Sequence, residues 1–243
     1  MPTDLQPGQA LHRIRAITLD LDDTLWPINP VIYQAEERLW AWLTEHYPRI
    51  AETFSASDML TLRQEVIEEY WDQSHDFRFL RKKVLTHVAL KAGYSDELVE
   101  PAFEVFDEAR NDVELFPDVM HELEWLFERF TVVAVTNGNA NLEVIGIRHL
   151  FHEVVTAVSA GAAKPAPQIF EIAVNATGHE PHEILHVGDH PETDIFGAQQ
   201  AGLRTAWVNR NSNRWPEELD TPDAVVETMT ELRELLEAAG AAR

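Results

Sequence analysis

Short runs of apolar and β-branched residues recur along the chain, with amphipathic stretches between them. The runs predict buried strands at IRAITLDL (14–21), TVVAVT (131–136), HEVVTAV (152–158), EILHVG (183–188), RTAWV (204–208) and DAVVE (223–227). The amphipathic stretches predict helices over 117–129, 141–149, 167–177, 192–201 and 229–239. Because strands that alternate with helices are typical of a parallel sheet covered on both faces, we expect a Rossmann-like α/β core.

Between the first run and the second, the hydrophobic period changes from that of a strand to that of a helix. Apolar residues at helical spacing predict four helices, around 39–46, 62–70, 77–91 and 95–111. We interpret this all-helical block as an insertion after the first strand. We therefore expect two domains, a core made of residues 1–25 and 113–243 and a small helical domain made of residues 26–112.

Composition narrows the classes of function. The 243 residues include 42 acidic and 19 basic side chains, a formal net charge of −23, which disfavours nucleic acid and anionic membrane surfaces as partners. No apolar run approaches the roughly 20 residues of a membrane span, and residues 1–12 do not resemble a signal peptide. The absence of cysteine excludes disulfides, thiolate metal sites and cysteine nucleophiles. These features lead us to expect a cytoplasmic protein.

Polar residues follow four consecutive strands of the predicted sheet. They are Asp20 and Asp22 after the first strand, Thr136 and Asn137 after the second, Lys164 beyond the third, and Asp189 with Asp194 after the fourth. Each group taken alone could be a helix cap or an ordinary turn. Because functional groups of open α/β sheets gather outside the carboxyl ends of the strands, we expect the four groups to meet.

This set of residues has the chemistry of a magnesium-dependent phosphoryl-transfer site. Magnesium binds one or two carboxylates together with phosphate oxygens, which matches Asp20, Asp189 and a phosphorylated substrate. Asp20 could attack phosphorus to give an aspartyl-phosphate, and Asp22 could serve as general acid and then activate water. Thr136, the backbone amide of Asn137 and Lys164 would neutralise the phosphate oxygens.

The segments LDLDDTL, VTNGN, AGAAKP and HVGDHPETD resemble, in order and spacing, the four motifs of the haloacid dehalogenase-like superfamily. The resemblance spans essentially the whole chain and implies that the helical block is a cap of the C1 type. It implies that Asp20 is the nucleophile and a metal ligand, that Asp22 is the acid/base with its backbone carbonyl on the metal, and that Asp189 completes the magnesium shell. Thr136 and Lys164 would bind phosphate. Asp194 would hold Lys164 or a metal-bound water.

Within this superfamily, the carboxylate of Asp22 points to a phosphatase. The dehalogenases lack an acid two positions after the nucleophile because a halide leaves without a proton. Alternatives remain: a phosphomutase shares these motifs, the substrate could be a sugar phosphate or a nucleotide, and a non-catalytic binding module could use the same fold.

The phrases AITLDLDDTLW, VTNGNA and EILHVGD also resemble a bacterial branch of flavin mononucleotide phosphatases. That branch is linked to dephosphorylation of 5-amino-6-(5-phospho-D-ribitylamino)uracil in riboflavin biosynthesis. The resemblance implies a small phosphorylated metabolite as partner and leaves monomer and homodimer open. In the helical block, Trp71, Phe77, Arg78 and Arg81 are candidates to contact the substrate, and a solvated helix face is an equal alternative for the basic residues.

Overall fold

The computed structural model describes residues 11–241, and the chain divides into two units. Among the described residues, one unit consists of those up to Pro27, then Glu114–Gly138, and then those from Gly146 onward. The other consists of Ile28–Val113 and Asn139–Ile145. The second stretch of this helical unit, residues 139–145, is one that the sequence analysis assigns to the core.

Within residues 11–241, the first unit is built on a six-stranded sheet whose order is β3-β2-β1-β4-β5-β6. Every paired strand is parallel to its neighbour. This confirms the predicted α/β class, and the strand order is that of a doubly wound fold whose order reverses between β1 and β4. The strands are β1 (Ala16–Leu19), β2 (Thr131–Thr136), β3 (Glu153–Thr156), β4 (Ile184–Gly188), β5 (Arg204–Val208) and β6 (Ala224–Val226).

The helical unit has its own apolar core, to which each of its longer helices contributes one face. Side-chain caps fix two helix starts: Ser55 forms a capping box with Asp58, and Asp76 accepts a hydrogen bond from the Phe79 amide. The helices are α1 (Ile28–His46), α2 (Pro48–Thr53), α3 (Ala56–Glu69), α4 (Phe77–Lys91) and α5 (Val99–Arg110). Helix α2 was not predicted, because six residues are too few to show a helical period.

The remaining helices are α6 (Val119–Phe127), α7 (Leu142–Ile145), α8 (Ala157–Ala160), α9 (Pro167–Thr177), α10 (Gly197–Gln200) and α11 (Met229–Ala238). The helix predicted over 141–149 ends early, because Gly146 adopts a φ of +88°. The strand predicted over 152–158 ends at Thr156, whose side chain caps α8 by accepting from the Ser159 amide. Among residues 11–241, no helix has both the length and the apolar character needed to cross a membrane.

Candidate active site

Three carboxylates converge at the carboxyl edge of the sheet, where the strand order reverses. Asp20 directly follows β1 and Asp189 directly follows β4, and these strands are parallel neighbours. Asp194 comes from a π-helical turn, Pro191–Phe196, that follows β4. One oxygen of each carboxylate lies within 4.8 Å of the others. The topology therefore brings together acids that are up to 174 positions apart in the sequence.

Lys164 lies between two of these acids. Its Nζ donates hydrogen bonds to Oδ1 of Asp20 and, at 2.6 Å, to Oδ1 of Asp194. The residue is 4% exposed. Burial alone would lower the pKa of the Lys164 ammonium, but the charges of Asp194 and Asp20 outweigh it and raise that pKa. Lys164 is therefore a fixed, buried cation in contact with the proposed nucleophile.

Asp194 is held from several sides. Its Oδ2 accepts a 2.9 Å hydrogen bond from the backbone amide of His190. A Cβ at Gly188 would lie 2.5 Å from its Cγ, so the end of β4 must be glycine for the carboxylate to reach Lys164. Burial would raise the pKa of Asp194, but the charge of Lys164 holds it below its usual range. Asp194 is therefore ionised and oriented by the protein itself.

A buried histidine within the sheet lies close to the Asp194 side of the Asp194–Lys164 pair. His186 on β4 is the register partner of Thr18 on β1, and its Nδ1 lies 2.9 Å from the Thr18 hydroxyl. Its Nε2 lies 3.5 Å from Oδ1 of Asp194. Burial lowers the pKa of the imidazole, so His186 is neutral. A series of polar contacts thus begins in the middle of the sheet, at Thr18 and His186, and continues through Asp194 and Lys164 to Asp20.

The acids carry more negative charge than Lys164 neutralises. Burial raises the pKa of Asp20 to about 7, with Lys164 opposing the shift. Burial, followed by the charge of Asp20, raises the pKa of Asp189 to about 8. A divalent cation would relieve this crowding, and the all-oxygen donor set fits a hard cation such as magnesium. Both oxygens of Asp194 already accept hydrogen bonds, and so do both oxygens of Asp20, so hydrogen bonding alone does not distinguish these two carboxylates as metal ligands.

The loop after β1 carries Asp22, which is half-buried. Its Oδ1 accepts a 2.9 Å hydrogen bond from Nε1 of Trp26. On the same loop, the Thr24 hydroxyl donates to Oδ2 of Asp20 at 3.2 Å. Within residues 11–241, the carboxylates that share the potential metal site are Asp20, Asp189 and Asp194, so the side chain of Asp22 lies outside that group.

The side chain of Asn137 contacts the backbone of Lys164. Its Oδ1 accepts from the Lys164 amide at 2.7 Å, and its Nδ2 donates to the Lys164 carbonyl at 3.0 Å. This two-way pairing fixes the loop that carries the lysine. The sequence does not predict this pairing, since its motif points only to the backbone amide of Asn137. The buried Thr136 accepts a 2.9 Å hydrogen bond from the Gly138 amide.

The helical unit contains two neighbouring cavities of about 540 and 260 Å³. Among the candidates from the sequence, Arg81 lines both cavities and Phe77 lines the smaller one. Arg78 instead donates to both oxygens of Asp107, at 2.6 and 2.7 Å, and Trp71 is 70% exposed. Arg63, which is not among the candidates predicted from the sequence, also lines both cavities.

Comparison with known proteins gives consistent similarities. A family model for haloacid dehalogenase-like hydrolases matches residues 14–202. The 5-amino-6-(5-phospho-D-ribitylamino)uracil phosphatase YigB of Escherichia coli (strain K12) is 32% identical over 202 residues, covering 82% of this chain and 84% of that protein. The glyceraldehyde 3-phosphate phosphatase of Methanopyrus kandleri is 30% identical over 234 residues, with coverages of 92% and 97%.

A solved structure of 2-haloacid dehalogenase from Pseudomonas syringae pv. Tomato DC3000 is also similar. It is 36% identical, superposes with a TM-score of 0.87, and the match covers 92% of this chain and 98% of that one. A phosphatase structure from Thermococcus onnurineus is 25% identical with a TM-score of 0.68, and its match covers 93% and 99%. Similar proteins therefore carry both phosphatase and dehalogenase names.

Proposed function

Because the chain belongs to the haloacid dehalogenase-like hydrolases and is a phosphatase of that family, we propose that it hydrolyses a small phosphorylated metabolite with magnesium and through an aspartyl-phosphate on Asp20. One observation carries this proposal. The carboxylate of Asp20 stands at the carboxyl end of β1, beside a buried lysine and two further acids. That arrangement suits a nucleophile that must approach a phosphate dianion.

In the first half of the reaction, an oxygen of Asp20 forms a bond to phosphorus and the ester P–O bond breaks. Lys164 offers positive charge to the phosphoryl oxygens, and the Thr136 hydroxyl offers a hydrogen bond. When bound, magnesium would neutralise negative charge shared by Asp20, Asp189 and the phosphate. Asp194 keeps the lysine ammonium in place, and Asn137 keeps the lysine backbone in place.

Asp22 serves first as the general acid and then as the general base. The leaving alkoxide takes a proton from its carboxyl group, and the resulting carboxylate then removes a proton from the water that cleaves the aspartyl-phosphate. The indole of Trp26 donates to Oδ1 of Asp22 and so helps to orient this carboxyl group. The helical unit would serve as the cap that binds the organic part of the substrate and limits the access of water.

For the substrate, we propose 5-amino-6-(5-phospho-D-ribitylamino)uracil or flavin mononucleotide. The similarity to YigB over most of both chains supports this choice. Similarity to the glyceraldehyde 3-phosphate phosphatase keeps sugar phosphates as the competing substrate class. A phosphomutase would use the same residues but return the phosphoryl group to the organic product.

Dehalogenation is the second candidate function, favoured by the similarity to the Pseudomonas syringae structure. The carboxylate at position 22 argues against it. An alkoxide leaving group needs a proton and a halide does not, so an oriented acid beside the nucleophile is useful only for an ester.

The test is an assay of purified protein on phosphorylated metabolites and 2-chloropropionate, with magnesium and with EDTA. We expect phosphate release that requires magnesium and is fastest with the flavin-pathway compounds. Asp20→Asn should abolish it, whereas Asp220→Asn, at an exposed position, should not. Chloride release without phosphatase activity would overturn the proposal. Conversion of a sugar phosphate into its isomer, without free phosphate, would identify a mutase.

A further inference from the structure

The smaller cavity of the helical unit has an unusual lining for so acidic a protein. Its walls are mostly aliphatic and aromatic, with Phe77 and Phe106 among them, and Asn139 adds an amide. Within the described chain, the charged residues that line it are Arg63 and Arg81. Both are cations, although the whole chain carries a net charge of −23. The cavity is therefore lined mostly by apolar side chains together with two cationic residues.

One carboxylate accepts hydrogen bonds from both arginines. Arg63 and Arg81 each donate to the same oxygen of Glu36, Arg81 at 2.9 Å. The three side chains together carry a formal charge of +1. Glu36 lines the larger cavity and is not among the residues that line the smaller one. The residue that carries the neutralising charge thus lines one cavity, and the two arginines line both.

The guanidinium of Arg81 is fixed rather than mobile. Its side chain is 15% exposed, and its Cζ lies 3.4 Å from the centroid of the Phe106 ring. Arginine keeps its charge in proteins and has five N–H donors in a planar array. Burial lowers the pKa of Arg81, and the charge of Glu36 opposes this shift. A cation held this way favours a ligand that brings oxygen acceptors to it.

We propose that this cavity binds the organic part of the substrate through a compact planar group that presents carboxylate or carbonyl oxygens to Arg63 and Arg81. The inference rests on the proposed function, because it assigns the cavity to the substrate of the phosphatase. At about 260 Å³ the cavity is smaller than the pockets of drug-sized ligands. It suits a single ring better than a fused tricyclic system, with Phe77 and Phe106 available for contact with the ring face.

Three aryl phosphates of nearly equal shape test the proposal: 4-carboxyphenyl, 4-carbamoylphenyl and 4-isopropylphenyl phosphate. The first offers a charged acceptor, the second a neutral carbonyl and the third no acceptor. The measured quantity is the ratio of kcat/KM for each acceptor-bearing ester to that for the isopropyl ester. Differences between the leaving groups cancel when this ratio is compared between the parent and a variant.

The variant is Arg63→Met, because Arg63 is 40% exposed and its loss leaves Arg81 paired with Glu36. We expect the ratio to fall about tenfold in this variant, mainly through KM, as for the loss of one charge-assisted hydrogen bond. Arg63→Lys should restore the ratio for the carboxylate more than for the carboxamide. Arg214→Met, at an arginine whose side chain is 85% exposed, is the matched control and should keep the parent ratio.

A ratio that does not change in Arg63→Met, with the variant folded by circular dichroism, would overturn the inference and leave the proposed function standing. If only the carboxylate ester is affected, the cavity recognises charge. If both acceptor-bearing esters are affected, it recognises oxygen acceptors generally. Failure of the parent to release phosphate from any ester in magnesium would overturn the proposed function, and the inference with it.

Discussion

The indole Nε1 of Trp26 donates a 2.9 Å hydrogen bond to Oδ1 of Asp22, and the two residues also form a short parallel β-bridge. Trp26 is completely buried, so packing fixes the direction of its N–H group. Asp22 is therefore oriented by a rigid donor four residues further along the same loop. The hydrogen bond therefore restricts the orientation of the carboxyl group of the proposed acid.

Replacing Trp26 by Phe removes this hydrogen bond and keeps most of the apolar volume. We expect kcat to fall by about tenfold, the effect of losing roughly 1.4 kcal/mol of orientation. The loss should be larger for phenyl phosphate than for 4-nitrophenyl phosphate, because a poor leaving group depends more on the acid. The measurement is kcat for both esters in the parent and the variant.

Trp42→Phe is the matched control, since the Trp42 ring stacks on His46 within the helical unit and Trp42 is not one of the candidate site residues. It should leave both values of kcat unchanged. If Trp26→Phe slowed the two esters by the same factor, the indole would act on stability or binding and not on the proton transfer.

Lys164→Met should affect both stability and activity. The substitution leaves Asp20 and Asp194 buried without their common cation, and breaking a buried ion pair in this way costs about 3–5 kcal/mol. Phosphatase activity should fall by at least 100-fold, as when one transition-state donor is lost. Urea unfolding without magnesium and steady-state kinetics with magnesium measure the two effects.

The double variant Lys164→Met/Asp194→Asn separates these effects. Removing one of the two unpaired charges should recover part of the lost unfolding free energy, whereas activity should stay as low as in Lys164→Met. Lys82→Met, at a half-exposed lysine that pairs with Glu100 on the surface, should change neither by much. Recovery of activity in the double variant would contradict the proposed contact between Lys164 and the phosphoryl oxygens.

The parallel sheet could be predicted because each of its buried strands is a continuous β-branched or apolar run. Once the strands are parallel, topology alone places their carboxyl ends on one edge, so the meeting of Asp20, Asp189 and Asp194 could be expected too. Local sequence was less informative where the backbone changes course. The short helix α7 ends before Gly146, and a π-helical turn replaces the start of the predicted helix over 192–201.

The contacts that sequence reasoning missed join residues far apart in the chain. Asn137 pairs with the backbone of Lys164 across 27 positions, and nothing in the VTNGN phrase distinguishes this from a turn. Arg63 reaches Glu36 from a different helix, again 27 positions away. Helical periodicity identifies which face of a helix is apolar but not which polar side chains of two helices will meet, because helix packing decides that.

Arg210 provides a test of the core alone. Two of its N–H groups donate to both oxygens of Asp118, at 3.0 and 3.1 Å, and its Nε donates to the Thr24 carbonyl at 3.2 Å. Asp118 also accepts from the Met229 amide at 2.7 Å. Arg210→Met should lower the free energy of unfolding by about 2–3 kcal/mol, between the values for surface and fully buried pairs.

Chemical denaturation measures this loss of unfolding free energy. The control is Arg214→Met, because the pair of Arg214 with Glu217 is exposed and should contribute less than about 1 kcal/mol. Equal stability of the two variants would show that the contacts of Arg210 contribute nothing beyond a surface pair. Because Thr24 also donates to Asp20, we expect the kcat of Arg210→Met to fall as well.

Asp189 gives the protein without divalent cations a characteristic pH dependence. In the folded state burial raises its pKa to about 8, well above the value of about 3.9 in an unfolded chain. Between these two values the folded protein binds more protons than the unfolded one. The contribution of Asp189 to stability is therefore present at low pH and is lost as the pH rises through about 8.

Asp189→Asn removes this contribution. The unfolding free energy of the variant minus that of the parent should increase between pH 5 and pH 8, by at most about 1.4 kcal/mol per pH unit, and become constant at higher pH. Urea unfolding in EDTA at several pH values measures this difference, and Asp220→Asn, at an exposed position, should show none.

Magnesium should reverse the order of stability of the parent and Asp189→Asn. At pH 8 the parent has the ionised carboxylates of Asp20 and Asp189 to offer a cation, so adding magnesium should raise its melting temperature more than that of Asp189→Asn. At pH 5 the gain should shrink, because protons then compete for the same oxygens. A parent protein whose stability responds equally to magnesium at both pH values would place the cation away from Asp189.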